Sequence, residues 1–431
     1  MSQTITARGL SASSSERATM YQAWSTLATD TWPRVRFFNG TNAAGRRTRE
    51  VSSFSSMTRR CSVPAPPMAT VASATRARPL LFDALPSLAE TVPFLPLAEV
   101  PTAVERCAAL SPYLGRDDVW MKRDDLISPV YGGNKVRRYE FVLADAKARG
   151  ATRIVTLGGI ASTQVMATAR FGQHLGIPVT AVLFDQPVTR FAREAILTDV
   201  DAGATLIHGG GYLRSAWRFY KARKTQGAYV INPGAASPRA NLGYVDAMLE
   251  LAAQVERGEM PRPDVIVLPT GSSGTLAALA LGAAWLGWDT EIVGVRITLR
   301  IATNALTIGL IRERTARWIA ARAPEFGRAL GSRRGRYRLF HGAIGEGYGY
   351  PTRESIEAME WYRALTGKPG EVTYSAKALV GLRAVARDPA YAKKTILLWQ
   401  TLSDVRPVIP EGTRERVPRD LQWVFEGSVP A

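Results

Sequence analysis

Residues 131–138, Tyr-Gly-Gly-Asn-Lys-Val-Arg-Arg, place a lysine directly after two glycines and an asparagine, where a helix is expected to begin. Glycines let the backbone come close to a flat ring, because they lack a Cβ and adopt positive φ freely. A lysine forms an imine only as a neutral amine, so Lys135 would need desolvation or a nearby positive charge. Arg137 and Arg138 would supply that charge if their side chains faced Lys135. Lys135 is therefore a candidate imine-forming amine, although a solvated helix start is the more ordinary role of such a lysine.

A second candidate site lies at residues 158–164, Gly-Gly-Ile-Ala-Ser-Thr-Gln, directly after an expected strand. Ligands of open α/β sheets bind beyond the carboxyl ends of the strands. Ser162 has the residue type that caps helix N-termini, which is its more ordinary role. Its functional alternative is a hydrogen bond to a substrate carboxylate, supported by the positive potential of the helix N-terminus.

The loop after the apolar stretch 265–268 is a candidate phosphate cradle. Backbone N–H groups, hydroxyl donors and the helix dipole would converge on an anion there. The loop lacks the Gly-Lys-Ser/Thr ending of a P-loop and does not read Gly-x-Gly-x-x-Gly. A tight strand-to-helix turn is the competing explanation. The residues of the loop are Gly271, Ser272, Ser273, Gly274 and Thr275.

The segment 345–351, Gly-Glu-Gly-Tyr-Gly-Tyr-Pro, has glycines on both sides of an aromatic residue. Such a tight loop can present Tyr348 to a pocket, although many ordinary turns have the same composition. Tyr348 is therefore a third candidate site residue.

Positioning these residues requires an alternating α/β fold, which the pattern from residue 94 onward predicts. Short β-branched runs predict strands at 153–157, 179–184, 205–208, 228–231, 264–268, 291–297 and 395–399. Amphipathic or apolar stretches predict helices at 136–148, 163–175, 190–201, 276–286 and 355–365. Strands that alternate with helices imply parallel sheets with covered faces. We expect two open parallel-sheet domains, a smaller one at 138–244 inserted into a larger one formed by 79–137 and 245–431.

Residues 1–78 differ in composition from the rest of the chain. They contain 11 Arg, no Lys and 3 acidic residues, so +8 of the net charge of +18 lies there. Such a segment cannot bury enough apolar surface to offset the entropy of ordering, which predicts a disordered basic tail. A start assigned too early, with Met57 or Met68 as the true start, ranks beside it. An organellar transit peptide ranks below both.

The positive charge invites a nucleic-acid partner, but the remaining +10 is spread through elements in which acidic and basic residues alternate. We expect no run of basic residues with interleaved aromatics to form a stacking stripe, and therefore no nucleic acid partner. Cys61 and Cys107 make no disulfide framework, and three scattered histidines indicate no metal site. A cytoplasmic, reducing setting fits this cysteine usage. No stretch of about 18 residues is apolar enough to span a membrane, so no membrane partner is expected.

Taken in order, these segments resemble the fold-type II pyridoxal phosphate-dependent enzymes, and in particular the family of 1-aminocyclopropane-1-carboxylate deaminase and D-cysteine desulfhydrase. The resemblance extends from about residue 90 to about residue 405. The matching motifs are Lys122-Arg123-Asp124-Asp125, Gly132-Gly133-Asn134-Lys135-Val136-Arg137, Gly158-Gly159-Ile160-Ala161-Ser162, the loop 271–275, Gly347-Tyr348-Gly349-Tyr350-Pro351 and Tyr374-Ser375-Ala376-Lys377-Ala378. The resemblance implies a tryptophan synthase β-like fold with pyridoxal 5'-phosphate in the cleft between two domains.

The resemblance also implies roles for individual residues. Lys135 would form the Schiff base with the cofactor and shuttle the Cα proton of the substrate. Ser162 would lie near the substrate carboxylate or act as an acid or base, and Tyr348 and Tyr374 would be pocket tyrosines. The implied cofactor-binding residues are Asn134, Lys135, Thr163, Gly271, Ser272, Ser273, Gly274, Thr275, Ser375 and Thr401.

The residue after the second tyrosine bears on the reaction. Ring-opening deaminases of the family carry a glutamate there, beside the pyridine nitrogen, and desulfhydrase-like members carry a threonine, whereas this chain has Ser375. A hydroxyl leaves the ring nitrogen unprotonated more of the time, which β-elimination tolerates better than cyclopropane opening does. This favours a desulfhydrase-like lyase that converts a small amino acid into a keto acid and ammonia.

Two departures from the family pattern concern the cofactor. Family members carry asparagine after the serine, where this chain has Thr163, and end a late strand with His-Thr-Gly-Gly, where residues 400–403 read Gln-Thr-Leu-Ser. These departures leave open a diverged fold-type II reaction, such as deamination, racemisation, dehydration or β-replacement, or a cofactor-binding pseudoenzyme. Because family members are commonly dimers or larger, a homodimer or larger homo-oligomer is expected.

Overall fold

The structure, a computed structural model, describes residues 77–368 and 370–429. Within these residues the chain forms two sheets. The larger sheet has the strand order β1-β2-β10-β7-β8-β9 and the smaller one β5-β4-β3-β6. All strand pairs are parallel except β1–β2. The strands are β1 (Val104–Arg106), β2 (Val119–Lys122), β3 (Arg153–Gly159), β4 (Val179–Phe184), β5 (Thr205–Gly210), β6 (Ala228–Ile231), β7 (Val265–Thr270), β8 (Glu291–Arg296), β9 (Arg336–Phe340) and β10 (Ile396–Trp399).

Helices connect the strands and cover the faces of both sheets. They are α1 (Leu80–Ala84), α2 (Pro86–Thr91), α3 (Ser111–Leu114), α4 (Val136–Ala148), α5 (Thr163–Leu175), α6 (Arg190–Asp201), α7 (Tyr212–Ala222), α8 (Pro238–Glu256), α9 (Gly274–Trp285), α10 (Ala305–Ala320), α11 (Pro324–Leu330), α12 (Arg353–Thr366) and α13 (Ser375–Arg387).

The centre of the larger sheet is built from β7 and the helix that follows it. Every residue of β7 is buried, which explains its continuous apolar run, because parallel strands are covered on both faces. Every residue of α9 is buried as well, and a helix that is apolar on all sides lies inside a core. A Cβ added at Gly282 would lie 2.7 Å from the Cβ of Met248, so this glycine allows α8 and α9 to approach closely.

The strands bring the candidate loops to the carboxyl edges of the two sheets. The loop containing Ser162 follows β3, the loop 271–275 follows β7, and Thr401 follows β10. In an open parallel sheet this is the edge where ligands bind. The fold therefore places the candidate residues where chemistry is expected.

The expected alternating α/β fold with parallel sheets is confirmed, and α4, α5 and α6 have the expected bounds. Three strands of the large sheet were not expected: the two edge strands β1 and β9, and β2 beside β1. β1 has only three residues, β2 reads Val-Trp-Met-Lys, and β9 reads Arg-Tyr-Arg-Leu-Phe, so none has a β-branched apolar run. The strands of the small sheet fall inside residues 138–244, while the domain boundaries stay a prediction.

One cluster of basic and aromatic residues was missed in the sequence. The segment 217–224, Trp-Arg-Phe-Tyr-Lys-Ala-Arg-Lys, is a run of basic residues with interleaved aromatics. It lies largely in α7, where Trp217 is 56% and Tyr220 38% exposed.

The expected disorder or targeting role of the N-terminal segment falls on residues 1–76, which lie outside the described residues. In the described part of the chain, no helix is both long and apolar enough to cross a membrane.

Candidate active site

The turn before Lys135 is hydrogen-bonded to the two segments that follow β2 and β10 of the larger sheet. Gly133 has φ +84°, and its N–H donates to the carbonyl of Asp124 at 2.7 Å, while the N–H of Asn134 donates to the carbonyl of Thr401 at 3.0 Å. A Cβ at Gly133 would lie 2.5 Å from that same Thr401 oxygen. Only glycine satisfies both this φ and this close approach. The turn therefore fixes Lys135 beside the end of β10.

Ser403 holds the first residue of the same turn. Its Oγ accepts a hydrogen bond from the N–H of Gly132 at 2.8 Å. A Cβ at Gly132 would lie 2.0 Å from the carbonyl oxygen of Asp125. The structure therefore explains the departure from the family pattern at residues 402–403. Leu402 packs in the core beside the small sheet, and Ser403 binds the turn that precedes Lys135.

Lys135 is a buried amine, with only 8% of the residue exposed. Its Nζ donates to Oδ1 of Asn134 at 2.7 Å. Burial and, second, the positive charge of Arg138 lower the pKa of Lys135 to about 7. At neutral pH a large fraction of this amine is therefore unprotonated, as imine formation requires.

The two arginines after the lysine have different environments. Arg138 donates to the carbonyls of Gly234 and Ala235 at 3.0 Å each and to Oγ1 of Thr275 at 2.8 Å. Consecutive helical residues point about 100° apart, so both could not face Lys135 equally. The expected positive charge beside the lysine is supplied by Arg138.

Arg137 belongs instead to a buried ion network behind the turn. Its guanidinium donates to the carboxylate of Asp124 at 2.8 and 2.9 Å, and to that of Glu250 at 2.9 and 3.0 Å. These two carboxylates raise the pKa of Arg137 well above its ordinary value despite its burial. Its charge is thus compensated locally and serves the fold rather than Lys135.

The loop 271–275 connects β7 to the N-terminus of α9. Ser273 has φ +65°, which turns the chain sharply into the helix. Its Oγ and the Oγ1 of Thr270 are buried and have no hydrogen-bond partner among the described residues. Ser272 Oγ lies 3.5 Å from the carbonyl of Gly234, so the loop also meets the end of the small sheet. Buried hydroxyls and helix N–H groups together are suited to bind an anion.

Ser162 caps α5, as its ordinary role predicts. Its Oγ accepts from the N–H of Val165 at 3.4 Å, which is a long hydrogen bond. Thr163 is the first, half-buried residue of the helix. Gln164 turns towards the small sheet, where its Nε2 donates to Oγ1 of Thr156 at 2.9 Å and to the carbonyl of Asn232 at 3.1 Å. Ser162 and Thr163 thus remain at the N-terminus of the helix, at the carboxyl edge of β3.

Tyr348 and Tyr374 form a pair, with their hydroxyl oxygens 2.6 Å apart. Burial is the main cause that raises the pKa of each phenol above its ordinary value. Both groups are therefore protonated at neutral pH, and one donates to the other. The sequence motifs placed these tyrosines in different loops, and the structure brings them together.

Two buried charged residues support the tyrosine pair, and sequence reasoning missed both. The Nζ of Lys377 donates to the carbonyl of Ile344 at 2.7 Å and lies 3.4 Å from that of Gly347, so it holds the loop of Tyr348. Burial lowers the pKa of Lys377 to about 8. A buried ammonium that binds loop carbonyls positions that loop. The only sequence signal for Lys377 was its place in the family motif at residues 374–378.

The carboxylate of Glu371 caps the start of α13. It accepts the N–H of Thr373 at 2.6 Å, that of Ser375 at 2.7 Å and that of Tyr374. Burial raises its pKa, although these N–H groups oppose the shift. The hydroxyl of Ser375 lies 3.0 Å from both the carbonyl oxygen and the N–H nitrogen of Glu371. Ser375 is thus anchored at the first turn of α13.

Gln186 joins the Ser162 loop to the tyrosine loop, and it too was missed. Its Oε1 accepts the N–H of Ala161 at 3.3 Å. A Cβ at Gly349 would lie 2.9 Å from its Nε2. The candidate residues therefore lie in two sets of contacts, one around Lys135 and Arg138 and one around Gln186. The position of Gln186 after β4 carried no motif that could have identified this residue.

The described residues fit a pyridoxal phosphate molecule on two observations. Lys135 is a buried amine with a pKa of about 7, suited to an imine with an aldehyde. The loop 271–275 presents helix N–H groups and an unpaired buried hydroxyl, suited to a phosphate. Arg138 connects the two, since it borders Lys135 and binds Thr275.

Comparisons with known proteins agree with this chemistry. The family model described as pyridoxal-phosphate dependent enzyme matches residues 95–401. The D-cysteine desulfhydrases of Salmonella paratyphi B and Salmonella enteritidis PT4 are each 31% identical over 301 residues, covering 67% of this chain and 87% of theirs.

Solved structures share the fold. A crystal structure described as an ACC deaminase homologue has a TM-score of 0.61 at 28% identity, covering 74% of this chain and 94% of that chain. A fungal L-serine ammonia-lyase from Rhizomucor miehei, 16% identical, has a TM-score of 0.51 over 75% of this chain and 99% of that chain, and shows the fold alone. The resemblance found in the motifs is confirmed, and this chain belongs to the family of pyridoxal phosphate-dependent enzymes of fold type II.

Proposed function

We propose that this enzyme is a lyase that removes the β-substituent of a small amino acid, with D-cysteine as its substrate. The balanced reaction converts D-cysteine and water into pyruvate, ammonia and hydrogen sulfide. The names of the Salmonella relatives support the substrate. The observation that carries the reaction type is Ser375, a hydroxyl anchored at the start of α13 where a ring-opening enzyme would need a carboxylate.

The carboxylate nearest in the sequence does not replace that missing group. Both oxygens of Glu371 accept backbone N–H groups of residues 373–375. A carboxylate engaged in this way has little capacity left for a ring nitrogen. The arrangement therefore favours elimination of a good leaving group over opening of a cyclopropane ring.

The residues proposed to hold the cofactor are those that the family resemblance implies. The N–H groups of the loop 271–275 and the hydroxyls of Ser273 and Thr275 would bind the phosphate. The amine of Lys135 would bind the aldehyde carbon, and Ser375 and Thr401 would border the ring. Thr163 would donate a hydrogen bond to the phenolic oxygen, and Asn134 would contact the cofactor beside Lys135. When bound, pyridoxal phosphate supplies a ring that draws electrons away from the substrate Cα.

The chain's own groups would move the protons. Lys135 Nζ, with a pKa of about 7, is suited to take the Cα proton at neutral pH. The paired hydroxyls of Tyr348 and Tyr374 are protonated and would donate a proton to the leaving sulfur. Ser162, at the N-terminus of α5, would bind the substrate carboxylate.

The test is a product analysis of the enzyme loaded with pyridoxal phosphate. D-cysteine, L-cysteine and 1-aminocyclopropane-1-carboxylate are each incubated with the protein, and sulfide, keto acid and ammonia are measured. We expect equal amounts of the three products from D-cysteine and no keto acid from the cyclopropane compound. Release of keto acid from the cyclopropane compound, or racemisation of cysteine without sulfide, would overturn the proposal.

Matched variants show whether the site is responsible. Lys135→Ala should abolish sulfide release, whereas Lys393→Ala, at an exposed lysine outside the site, should leave it unchanged. Ser375→Thr keeps the hydroxyl and should retain most activity. A Lys135→Ala protein that still releases sulfide at the full rate would contradict the assignment of the amine.

The proposal extends to the assembly, the location and the domain organisation of the protein. We infer a homodimer or larger homo-oligomer, a cytoplasmic location, and a small domain at residues 138–244 that carries the strands β3–β6. Sedimentation of the purified protein would test the first of these, and a monomer at working concentrations would exclude it.

A further inference from the structure

Helix α7 has one packed side and one free side. Ser215 and Phe219 are buried against the small sheet. Leu213, Trp217 and Tyr220 are 44%, 56% and 38% exposed. Their spacing of four and three residues places them in one row along the helix. Large apolar side chains in such a row, outside any core, indicate a contact surface rather than scattered exposure.

The same side of the protein is strongly basic. Residues 211–227 contain five basic residues and no acidic ones. The Nζ of Lys221 lies 3.4 Å from the centre of the Trp217 ring, and that of Lys224 lies 4.2 Å from the centre of the Tyr220 ring. The cationic groups therefore flank the apolar row. We call the side chains of Leu213, Trp217, Tyr220, Lys221 and Lys224 the α7 face.

Charge decides what kind of partner fits the α7 face. A second copy that presented the same face would set basic groups against basic groups. The N-terminal residues 1–78, which carry a net charge of +8, would be repelled for the same reason. Asp185, at the amino end of α7, is already paired with His208 at 2.7 Å. A complementary surface is therefore anionic and has an apolar layer that accepts leucine and tryptophan.

Nucleic acid and an anionic lipid surface both carry that charge. Bases stack on free aromatic faces within a groove, but the chain's own cations already lie against the Trp217 and Tyr220 rings. Leu213 contributes nothing to stacking. Trp, Tyr and Leu beside Lys and Arg are instead the side chains of helices that lie in a lipid interface. We propose that the α7 face docks this enzyme on anionic lipid surfaces.

The test is co-sedimentation of the full chain, loaded with pyridoxal phosphate, with vesicles. One set is pure phosphatidylcholine and the other contains about one third phosphatidylserine. We expect binding to the anionic vesicles alone. Lys221→Glu combined with Lys224→Glu should lower the partition coefficient at least about tenfold, and Leu213→Ser combined with Trp217→Ser should lower it as well.

Two control variants separate the α7 face from net charge and from exposed apolar side chains elsewhere. Arg262→Glu combined with Lys393→Glu makes the same charge change at exposed positions elsewhere, and Leu306→Ser removes a 71% exposed leucine from α10. Both should bind vesicles like the unmodified chain, and every variant should retain sulfide release as a check of folding. Equal loss in the charge control, binding that the α7 changes leave intact, or α7-dependent binding of a single-stranded oligonucleotide without vesicle binding would overturn the proposal.

Discussion

Replacing Lys135 by methionine should stabilise the protein when no cofactor is bound. The folded chain buries this amine, and burial together with the charge of Arg138 lowers its pKa from 10.5 to about 7. Keeping a lysine uncharged in this place costs free energy of folding, because the unfolded chain solvates the ammonium. Methionine has a similar length and no charge, so it removes that cost.

The size and the pH dependence of the effect follow from the two pKa values. A lowering from 10.5 to about 7 corresponds to about 5 kcal/mol, taken as an upper bound because local relaxation reduces it. Between these pH values the unfolded chain holds a proton on this amine that the folded chain lacks. Folding stability of the unmodified protein therefore rises with pH across this window. The advantage of methionine should be largest below about pH 7 and should vanish towards pH 10.5.

The assay is urea unfolding of the cofactor-free proteins, followed at about pH 6.5 and about pH 9.5. The quantity of interest is the difference in unfolding free energy between Lys135→Met and the unmodified chain, because other titrating groups cancel in it. Lys393→Met, at an exposed lysine, is the matched control and should show no pH-dependent difference. A Lys135→Met protein that is less stable at both pH values, or whose advantage does not change with pH, would refute a desolvated, neutral lysine.

Three further predictions concern the surroundings of this lysine. Gly133 has φ +84°, and a Cβ added there would lie 2.5 Å from a carbonyl oxygen. Gly133→Ala should therefore destabilise the fold by about 1–3 kcal/mol and weaken cofactor binding in an absorbance titration. Gly176→Ala is the control and should keep full binding, because Gly176 has φ +68° but lies in open space. Tyr348→Phe should slow elimination about a hundredfold or more with little change in cofactor affinity, and an unchanged rate would remove this hydroxyl from the proton transfer. Lys377→Met should release the tyrosine loop and lower kcat more than cofactor affinity, and Lys377→Arg should recover part of the loss; equal loss in both variants would indicate a merely structural lysine.

Sequence reasoning succeeded where local pattern and tertiary structure agree. The helices at 136–148 and 163–175 have sustained apolar periodicity, and β7 is an uninterrupted apolar run that ends in glycine and serine. The strand β9 alternates arginine with apolar residues, because it is the margin of the large sheet and half exposed. Only its pairing with β8 makes it a strand, and no single sequence window contains that information.

The site shows the same division. Glycines and the lysine of residues 132–135 were identifiable because their types and spacing are unusual. The different roles of Arg137 and Arg138 were not, since these depend on which side of α4 faces Asp124 and Glu250. Gln186 and Glu371 act through contacts between loops that are distant in sequence or through backbone N–H groups, so their residue types alone gave no signal.

The most direct test of the central claim is to locate the lysine that carries the cofactor. The protein is loaded with pyridoxal phosphate, the imine is reduced with borohydride, and the modified lysine is identified by peptide mass spectrometry. The account predicts modification at Lys135, the buried amine with a pKa of about 7, and no visible imine band in Lys135→Ala. Modification at Lys377, the other buried lysine of the site with a lowered pKa, or an imine band that survives in Lys135→Ala, would contradict it.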